Sequence, residues 1–384
     1  MPLLPFSQRR KVGLADETGQ VHLPATLDEI GPLVDGVRTF RRELKRGWLD
    51  AEGHERVAAR FSWLSDPAFG AAAAAETSGL YGLLALDGTW RSEPSWGWIQ
   101  AVSESLALAR VVGGKTTGLV EVASGTWRVE PTWTDARAAG PGRLAVKKGA
   151  RWRGVSFEGE ELVPARWSAL QGQQDGTWLA RESKQSAWVR LDATGEVVHT
   201  FGPDIEELGA YAAGHAAAKR GKEWGLVDAD GRWVVEPCTT AWIRWDGVSP
   251  VPVFVARKFG YASPGAGLLV PARYDHASPF ESGYAIADLD VLDASGQVVA
   301  RVDPTSTPVI AAPPPQPKGR VAKALVASMP TRSNSPREPA VLGAIARLPD
   351  PDLAAVLHAW YTAGTAWIEL GAWGLWSGTQ ATRL

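Results

Sequence analysis

One short stretch carries the pattern from which most of the chain is built: Trp224-Gly225-Leu226-Val227-Asp228-Ala229-Asp230-Gly231-Arg232-Trp233-Val234-Val235-Glu236-Pro237. Two short runs of β-forming residues flank an acidic cluster that ends in Gly231. A glycine at that place can take the positive φ that a tight turn between two strands requires. The stretch therefore predicts a β-hairpin that ends at Pro237.

The same pattern recurs along the chain at intervals of about 33 to 38 residues. Its first position is occupied in turn by Gly13, Gly47, Gly82, Gly118, Gly154, Ala187, Gly225 and Gly260. A second glycine usually follows about six residues later, and a third, alternating run such as Leu106–Ala109 or Tyr284–Ala287 often follows the hairpin. The spacing predicts about eight units of three short antiparallel strands over residues 1–302.

These residues resemble the bacterial WG-repeat family, whose unit runs Trp-Gly-Leu-x-Asp-x-x-Gly, then Val-x-x-Pro-x-Tyr-Asp, then a phenylalanine and Gly-x-Ala. The stretch at Trp224 is similar to the start of that unit, and Pro271–Asp275 with Phe280–Ala285 is similar to its end. The resemblance covers about residues 11 to 302. It implies a β-repeat frame, and it implies no single activity and no catalytic residue.

The two ends of the repeat region suggest how it is closed. A half unit at Asp290–Val299 lacks a third strand, and Leu3–Phe6 is a lone apolar run before the first unit. If that run completes the last unit, the sheets form a propeller-like ring without free edges. An open β-solenoid capped at both ends explains the same pattern, and we favour the ring.

The last part of the chain has a different amino-acid composition. Residues 303–317 are rich in proline and predict an extended linker, and residues 318–384 have the spacing of a small α-helical segment. This segment is dense in aromatic residues, which favour an interaction with a partner or with a second copy of the chain: Trp360, Tyr361, Trp367, Trp373 and Trp376. Polar residues interrupt it, so no membrane span is expected.

Composition narrows the classes of function. A net charge of −2 gives no reason to expect nucleic acid, and the single cysteine, Cys238, is typical of a reducing cytoplasm. The histidines show no metal-ligand spacing, and no serine or cysteine has the neighbours of a nucleophile. No signal peptide, cofactor, metal site or catalytic residue is predicted.

The chain contains 19 tryptophans, and their positions divide them into two groups. Six recur with the repeat and are predicted to pack in the core: Trp90, Trp96, Trp127, Trp133, Trp167 and Trp233. Trp98, Trp242 and Trp245 lie off the repeat and are candidates for a binding surface. We expect a non-catalytic protein-binding scaffold, for instance one that neutralises a toxin. A carbohydrate-binding module with exposed tryptophans is the alternative, and an enzyme comes last.

Overall fold

The computed structural model describes residues 2–310, which form 33 strands joined by turns and loops, with no helix among them. The strands form nine antiparallel sheets that follow one another along the chain, and each sheet is one blade of a ring. The prediction of an all-β repeat domain is confirmed, with nine blades where about eight were expected.

The first three blades have the following strands. Blade 1 contains β1 (Leu4–Gln8), β2 (Lys11–Ala15) and β3 (Val21–Leu27). Blade 2 contains β4 (Glu29–Val34), β5 (Val37–Arg42), β6 (Lys45–Asp50) and β7 (Glu55–Phe61). Blade 3 contains β8 (Trp63–Leu64), β9 (Ala71–Ala75), β10 (Tyr81–Ala85) and β11 (Trp90–Trp96).

The next three blades all have four strands. Blade 4 contains β12 (Trp98–Ala101), β13 (Leu106–Arg110), β14 (Thr117–Glu121) and β15 (Trp127–Trp133). Blade 5 contains β16 (Asp135–Ala138), β17 (Arg143–Lys148), β18 (Arg151–Ser156) and β19 (Glu161–Trp167). Blade 6 contains β20 (Ala169–Gly172), β21 (Trp178–Arg181), β22 (Val189–Leu191) and β23 (Val197–Thr200).

The last three blades complete the ring. Blade 7 contains β24 (Glu207–Ala212), β25 (His215–Arg220), β26 (Glu223–Asp228) and β27 (Trp233–Thr239). Blade 8 contains β28 (Val251–Val255), β29 (Lys258–Ser263) and β30 (Gly267–Tyr274). Blade 9 contains β31 (Tyr284–Ala287), β32 (Asp290–Asp293) and β33 (Val298–Arg301).

The hydrogen bonds between strands show that the predicted three-stranded unit is wrong in its grouping. The alternating run Leu106–Ala109 lies in β13 and pairs with the following strand β14, as in the register Leu108↔Leu119. A short strand, β12, precedes it in the same blade. Each predicted unit therefore joined the last two strands of one blade to a strand of the next. With the boundary moved, the half unit at Asp290 becomes part of a ninth blade, where β31 pairs with β32.

The core lies between the faces of neighbouring blades. The middle strands are buried along most of their length, and β9 is a run of five buried alanines from Ala71 to Ala75. Residues that are buried on both faces of a strand give continuous apolar runs, and small side chains let neighbouring blades approach closely. All six repeat-equivalent tryptophans contribute to these cores or pack against them, as predicted.

Apolar packing joins blade 9 to blade 1, so the sheets form a closed ring and the open solenoid is excluded. Leu4 and Phe6 of β1 share one buried cluster with Ile286 and Val291 of blade 9. The prediction that Leu3–Phe6 completes the last unit is wrong, because β1 pairs with β2 in blade 1. It reaches blade 9 through side-chain packing.

The segment after β33 adds a second link at the junction of blades 9 and 1, here called the seam. Val309 and Ile310 donate backbone hydrogen bonds to the carbonyl oxygens of Val21 and His22 in β3, at 3.1 and 2.7 Å. Ile310 also packs against the cluster that contains Leu3, Leu14 and Leu23. The chain from 307 to 310 thus belongs to the ring, although the linker was predicted to begin at 303.

A buried ion pair lies at the seam as well. Arg38 of β5 donates to both carboxylate oxygens of Glu281, which precedes β31, and to the carbonyl oxygen of Leu3. The Arg38 side chain is 1% exposed. One guanidinium therefore ties blades 1, 2 and 9 together.

Residues 311–384 lie outside the described part of the chain. They include most of the predicted linker, the predicted helical segment and its five aromatic candidates, Trp360, Tyr361, Trp367, Trp373 and Trp376. Within the described part there is no helix of the length and apolarity that crossing a membrane requires.

Candidate functional site

Blade 8 lacks the first strand that blades 2 to 7 have, because residues 240–249, here called the central segment, lead to its strands without forming a strand. The segment is anchored on both sides of Trp242. The Thr239 hydroxyl donates to the Phe254 carbonyl oxygen at 2.7 Å and accepts from the Ala241 amide at 3.2 Å. The Trp245 indole Nε1 donates to the Ala212 carbonyl oxygen at 2.8 Å, and Ile243 is buried. The segment is therefore held in one conformation.

The central segment lies across the middle of the ring. Trp242 faces a hollow lined by the first strands of blades 5, 6 and 7, which are β16, β20 and β24. On the other side, Arg244 Nη2 lies 3.7 Å from Asp66 Oδ2 in blade 3. Blades 3 and 8 stand opposite each other in a ring of nine, so a segment that reaches both must cross its centre.

The hollow beside Trp242 has a volume of about 740 Å³. Its walls are the first strands of three consecutive blades and the loop that joins β21 to β22. The Trp242 side chain is 60% exposed. The polar lining residues are Arg137, Gln171, Arg181, Lys184, Gln185, Glu206 and Glu207.

Two arginines of the hollow bind backbone carbonyls. Arg137 Nη2 donates to the Leu170 carbonyl oxygen at 2.6 Å, and Arg181 Nη1 donates to that of Glu206 at 2.6 Å. Each guanidinium also stacks on an indole, Arg137 on Trp152 at 4.4 Å and Arg181 on Trp188 at 4.9 Å. Burial lowers the pKa of Arg137, with Asp135 opposing the shift, and a guanidinium stays charged at neutral pH. Both guanidinium groups are held in place, and within residues 2–310 neither is neutralised by a direct ion pair.

The carboxylates of the hollow already have partners. Glu207 Oε1 accepts from Lys219 Nζ at 2.8 Å, and Glu206 Oε1 accepts from the Gly221 amide at 2.9 Å. Lys184 is exposed and makes no ion pair with any of the residues from 2 to 310. An amide donor does not neutralise a carboxylate, so Glu206 keeps its negative charge. The three cations of the hollow outnumber this one carboxylate, and its net charge is positive.

The structure does not bring the three predicted surface tryptophans together. Trp98 is partly buried against the core between blades 4 and 5, with the Arg110 guanidinium 5.5 Å from its ring. Trp245 is partly buried and meets the His215 ring edge-on at 5.9 Å. Only Trp242 of the three lines the hollow.

Sequence reasoning missed the cations around Trp242, although a periodic signal for some of them exists. A cation recurs near the end of the second strand and stacks on an aromatic ring, as in the pairs Arg110/Trp98, Lys147/Trp152, Arg181/Trp188 and Lys219/Trp224. This periodicity predicts the stacks. It does not predict which of them surround the hollow, because that depends on the path of the central segment.

Chemically reactive groups are sparse in the part of the chain that the structure describes. No three His, Cys, Asp or Glu side chains in residues 2–310 come together as ligands for a metal ion. Burial raises the pKa of the Cys238 thiol, and the Glu223 carboxylate adds to this effect. A thiol with a raised pKa is a weaker nucleophile at neutral pH. The arrangement at Trp242 offers an aromatic surface and fixed positive charge, which suit binding.

Nine consecutive antiparallel sheets around a common centre define a β-propeller. The chain is similar to a structure described as the crystal structure of the eukaryotic initiation factor, with a TM-score of 0.52, 12% identity, and coverage of 78% of this chain and 95% of that one. BamB from Moraxella catarrhalis has a TM-score of 0.37 and 12% identity, with coverage of 68% of this chain and 93% of that one. The WD40 β-propeller domain of Doa1 has a TM-score of 0.32 and 10% identity, with coverage of 57% of this chain and 90% of that one. Because the chain is only 12% identical to the initiation factor structure, this similarity shows the fold alone.

Residues 259–290, which run from β29 to the start of β32, match the family described as WG containing repeat. This match confirms, over these residues, the resemblance to WG repeats seen in the repeated sequence pattern. No protein of curated function matches the chain.

Proposed function

We propose that this propeller is a non-catalytic protein-binding module, with Trp242 and its hollow as the contact site. The observation that carries the proposal is Trp242, 60% exposed on a segment that is anchored on both sides of it, at Thr239 and at Trp245. Tryptophan is enriched among the residues that dominate protein–protein interfaces. A rigid frame that holds such a residue in the open reduces the ordering cost of binding.

The propeller frame supports this assignment physically. Strands and buried cores fix the nine blades, whereas loops and connecting segments at the ring's centre are free to vary without loss of the frame. Propellers are commonly used as scaffolds for protein interactions. A cytoplasmic protein toxin is one partner class that such a module could neutralise, and the C-terminal aromatics Trp360, Tyr361, Trp367, Trp373 and Trp376 are a second candidate contact.

One observation favours carbohydrate as a second candidate ligand. The exposed indole lines the same hollow as Gln171 and Gln185, and sugars bind by stacking on an indole and by hydrogen bonds to such polar groups. A single exposed tryptophan offers one stacking platform, since Trp98 and Trp245 lie elsewhere. We therefore place protein binding first.

Affinity capture tests the proposal. The full chain and its Trp242→Ala variant are immobilised, exposed to a cell extract, and the retained proteins are identified by mass spectrometry. Phe69→Ala is the matched control, because Phe69 is an aromatic residue in blade 3 with 48% exposure. We expect a specific partner that wild type and Phe69→Ala retain and that Trp242→Ala loses. Equal capture by all three chains would remove Trp242 from the binding site, and elution by free glycans would favour the carbohydrate alternative.

A further inference from the structure

We infer that the hollow at Trp242 takes an acidic, extended peptide segment of a partner protein. Its carboxylates would lie against Arg137, Arg181 and Lys184, and an apolar side chain next to them would cover the Trp242 indole. This inference rests on the proposed protein-binding function and specifies the chemistry of the segment that binds.

Charge complementarity is the first argument. The cations of the hollow are Arg137, Arg181 and Lys184, and in residues 2–310 none of them forms an ion pair with a carboxylate. The two arginines are positioned by carbonyl oxygens at 2.6 Å and by indole rings, so their orientation does not depend on a ligand. Guanidinium groups with remaining donors favour carboxylates, which they bind through charge-assisted hydrogen bonds.

The acidic residues of the hollow do not cancel this charge. Glu207 is paired with Lys219, and the one remaining negative charge, on Glu206, is outnumbered by the three cations. The two carboxylates would repel a ligand with many phosphates, such as a nucleic acid, and the net charge of the chain is −2. A few carboxylates on a peptide fit this mixed environment better than a polyanion does.

The size and shape of the hollow point to a short segment. A volume of about 740 Å³ lies inside the range of about 300–1,000 Å³ that is typical of small-ligand sites. A whole domain does not enter such a space, whereas a few residues of extended chain do. The apolar part of the lining includes the partly exposed Ala169 and Trp224 and the exposed Trp242 indole. An apolar residue beside the acidic ones would therefore find a surface.

Peptide display on the full chain tests the inference. A library of random peptides is selected on immobilised wild-type protein, and the enriched peptides are synthesised with a fluorescent label. Their affinities for wild type, Lys184→Gln, Trp242→Ala and the control Lys115→Gln are then measured by fluorescence polarisation. Lys115 is an exposed lysine in the turn between β13 and β14, away from the hollow. Lys184 is exposed, so its substitution leaves the core intact.

We expect enriched peptides with Asp or Glu next to an aromatic or aliphatic residue. Loss of one partly exposed charge pair at Lys184 should weaken binding roughly three- to fivefold, while Lys115→Gln binds as wild type does. Wild-type affinity should also fall as salt rises. Arg181→Gln removes a second cation of the hollow and should also weaken peptide binding. Its melting temperature is measured beside that of wild type to show that the fold is intact.

The outcomes separate this inference from the function on which it rests. Peptides that need Trp242 but lack acidic residues, and that bind Lys184→Gln and high-salt samples normally, would overturn the acidic segment and leave protein binding at Trp242 in place. Peptides that bind Trp242→Ala as well as wild type would overturn the site itself. A selection that enriches no peptide, with a captured partner that still depends on Trp242, would also count against a short segment.

Discussion

Arg244 of blade 8 and Asp66 of blade 3 approach to 3.7 Å across the ring, between Nη2 and Oδ2. Both side chains are largely open to solvent, at 62% and 41% exposure. An exposed pair of this kind contributes about 0–1 kcal/mol to stability. Its effect is positional, because it adds a contact with the opposite blade to those that Thr239, Ile243 and Trp245 make on the near side.

Removing this tie should loosen the central segment without unfolding the ring. For Arg244→Ala we expect an unchanged melting temperature and faster amide hydrogen exchange in residues 240–249, since the segment loses one of its contacts. Mass spectrometry of peptic fragments measures the exchange. Arg232→Ala is the matched control, because Arg232 pairs with Asp230 on the turn of blade 7. Equal exchange in both variants would show that the pair does not restrain the segment.

The repeat could be predicted from sequence because its cause is local. Gly225 and its equivalents recur where the last strand of a blade passes close to the strand before it, and Gly231 and its equivalents recur where the turn needs positive φ. The grouping of strands into blades could not be predicted in the same way. A buried apolar run such as Leu106–Ala109 can pair with the strand before it or after it, and periodicity is the same in both cases.

The candidate site could be predicted only in part. Trp242 was recognisable because it lies off the repeat, but Trp98 shares that property and proves to be packed against a core. The cations Arg137, Arg181 and Lys184 come from two blades, and nothing in their spacing relates them to Trp242. They meet because the ring closes and the central segment crosses it, which are long-range consequences of the fold.

Substitution of the paired glycines in blade 7 should destabilise the ring for two different reasons. A Cβ on Gly225 would overlap the Val235 carbonyl oxygen, and Gly231 has a φ of 80°. For Gly225→Ala and Gly231→Ala we expect losses of roughly 1–3 kcal/mol each in the free energy of unfolding, measured by urea denaturation. Gly209→Ala is the control, since its Cβ would meet nothing closer than 3.4 Å. A Gly225→Ala midpoint equal to that of the control would contradict the close approach.

The seam should be sensitive to Glu281. In Glu281→Gln the Arg38 guanidinium stays buried without its carboxylate, so we expect a loss of about 3–5 kcal/mol. The double variant Arg38→Met/Glu281→Gln removes the buried charge together with its partner and should be less destabilised than Glu281→Gln alone. Urea denaturation of wild type, both single variants and the double variant gives the coupling between the two residues. Strictly additive losses would show that the pair is not coupled.

Acid should weaken the turn between β2 and β3. Burial opposes ionisation of Asp16, but hydrogen bonds from Thr18, His22 and Gln20 outweigh it and lower the pKa of the carboxyl from its usual 3.8. Because the folded-state pKa is the lower one, the stabilisation is complete above the unfolded-state value and is lost as pH falls through the folded-state value. Asp16→Asn should therefore cost roughly 1–3 kcal/mol at pH 7 and progressively less below about pH 4. Urea midpoints from pH 7 to pH 3 measure the difference. A constant difference across that range would contradict the assignment, and Asp35→Asn on an exposed turn is the control.

Two truncations separate the closing segment from the rest of the C-terminal chain. A chain that ends at Ile310 keeps the backbone bonds of Val309 and Ile310 to β3 and the packing of the Ile310 side chain, so we expect the melting temperature of its ring transition to match that of the full chain. A chain that ends at Ser306 loses these bonds and exposes part of the cluster around Leu14. Burial of one isoleucine side chain contributes about 1.5–3 kcal/mol when complete, and Ile310 is partly buried, so we expect a drop of several degrees. Differential scanning calorimetry measures both. Equal melting of the two truncated chains would mean that packing between blades 1 and 9 closes the ring without residues 307–310.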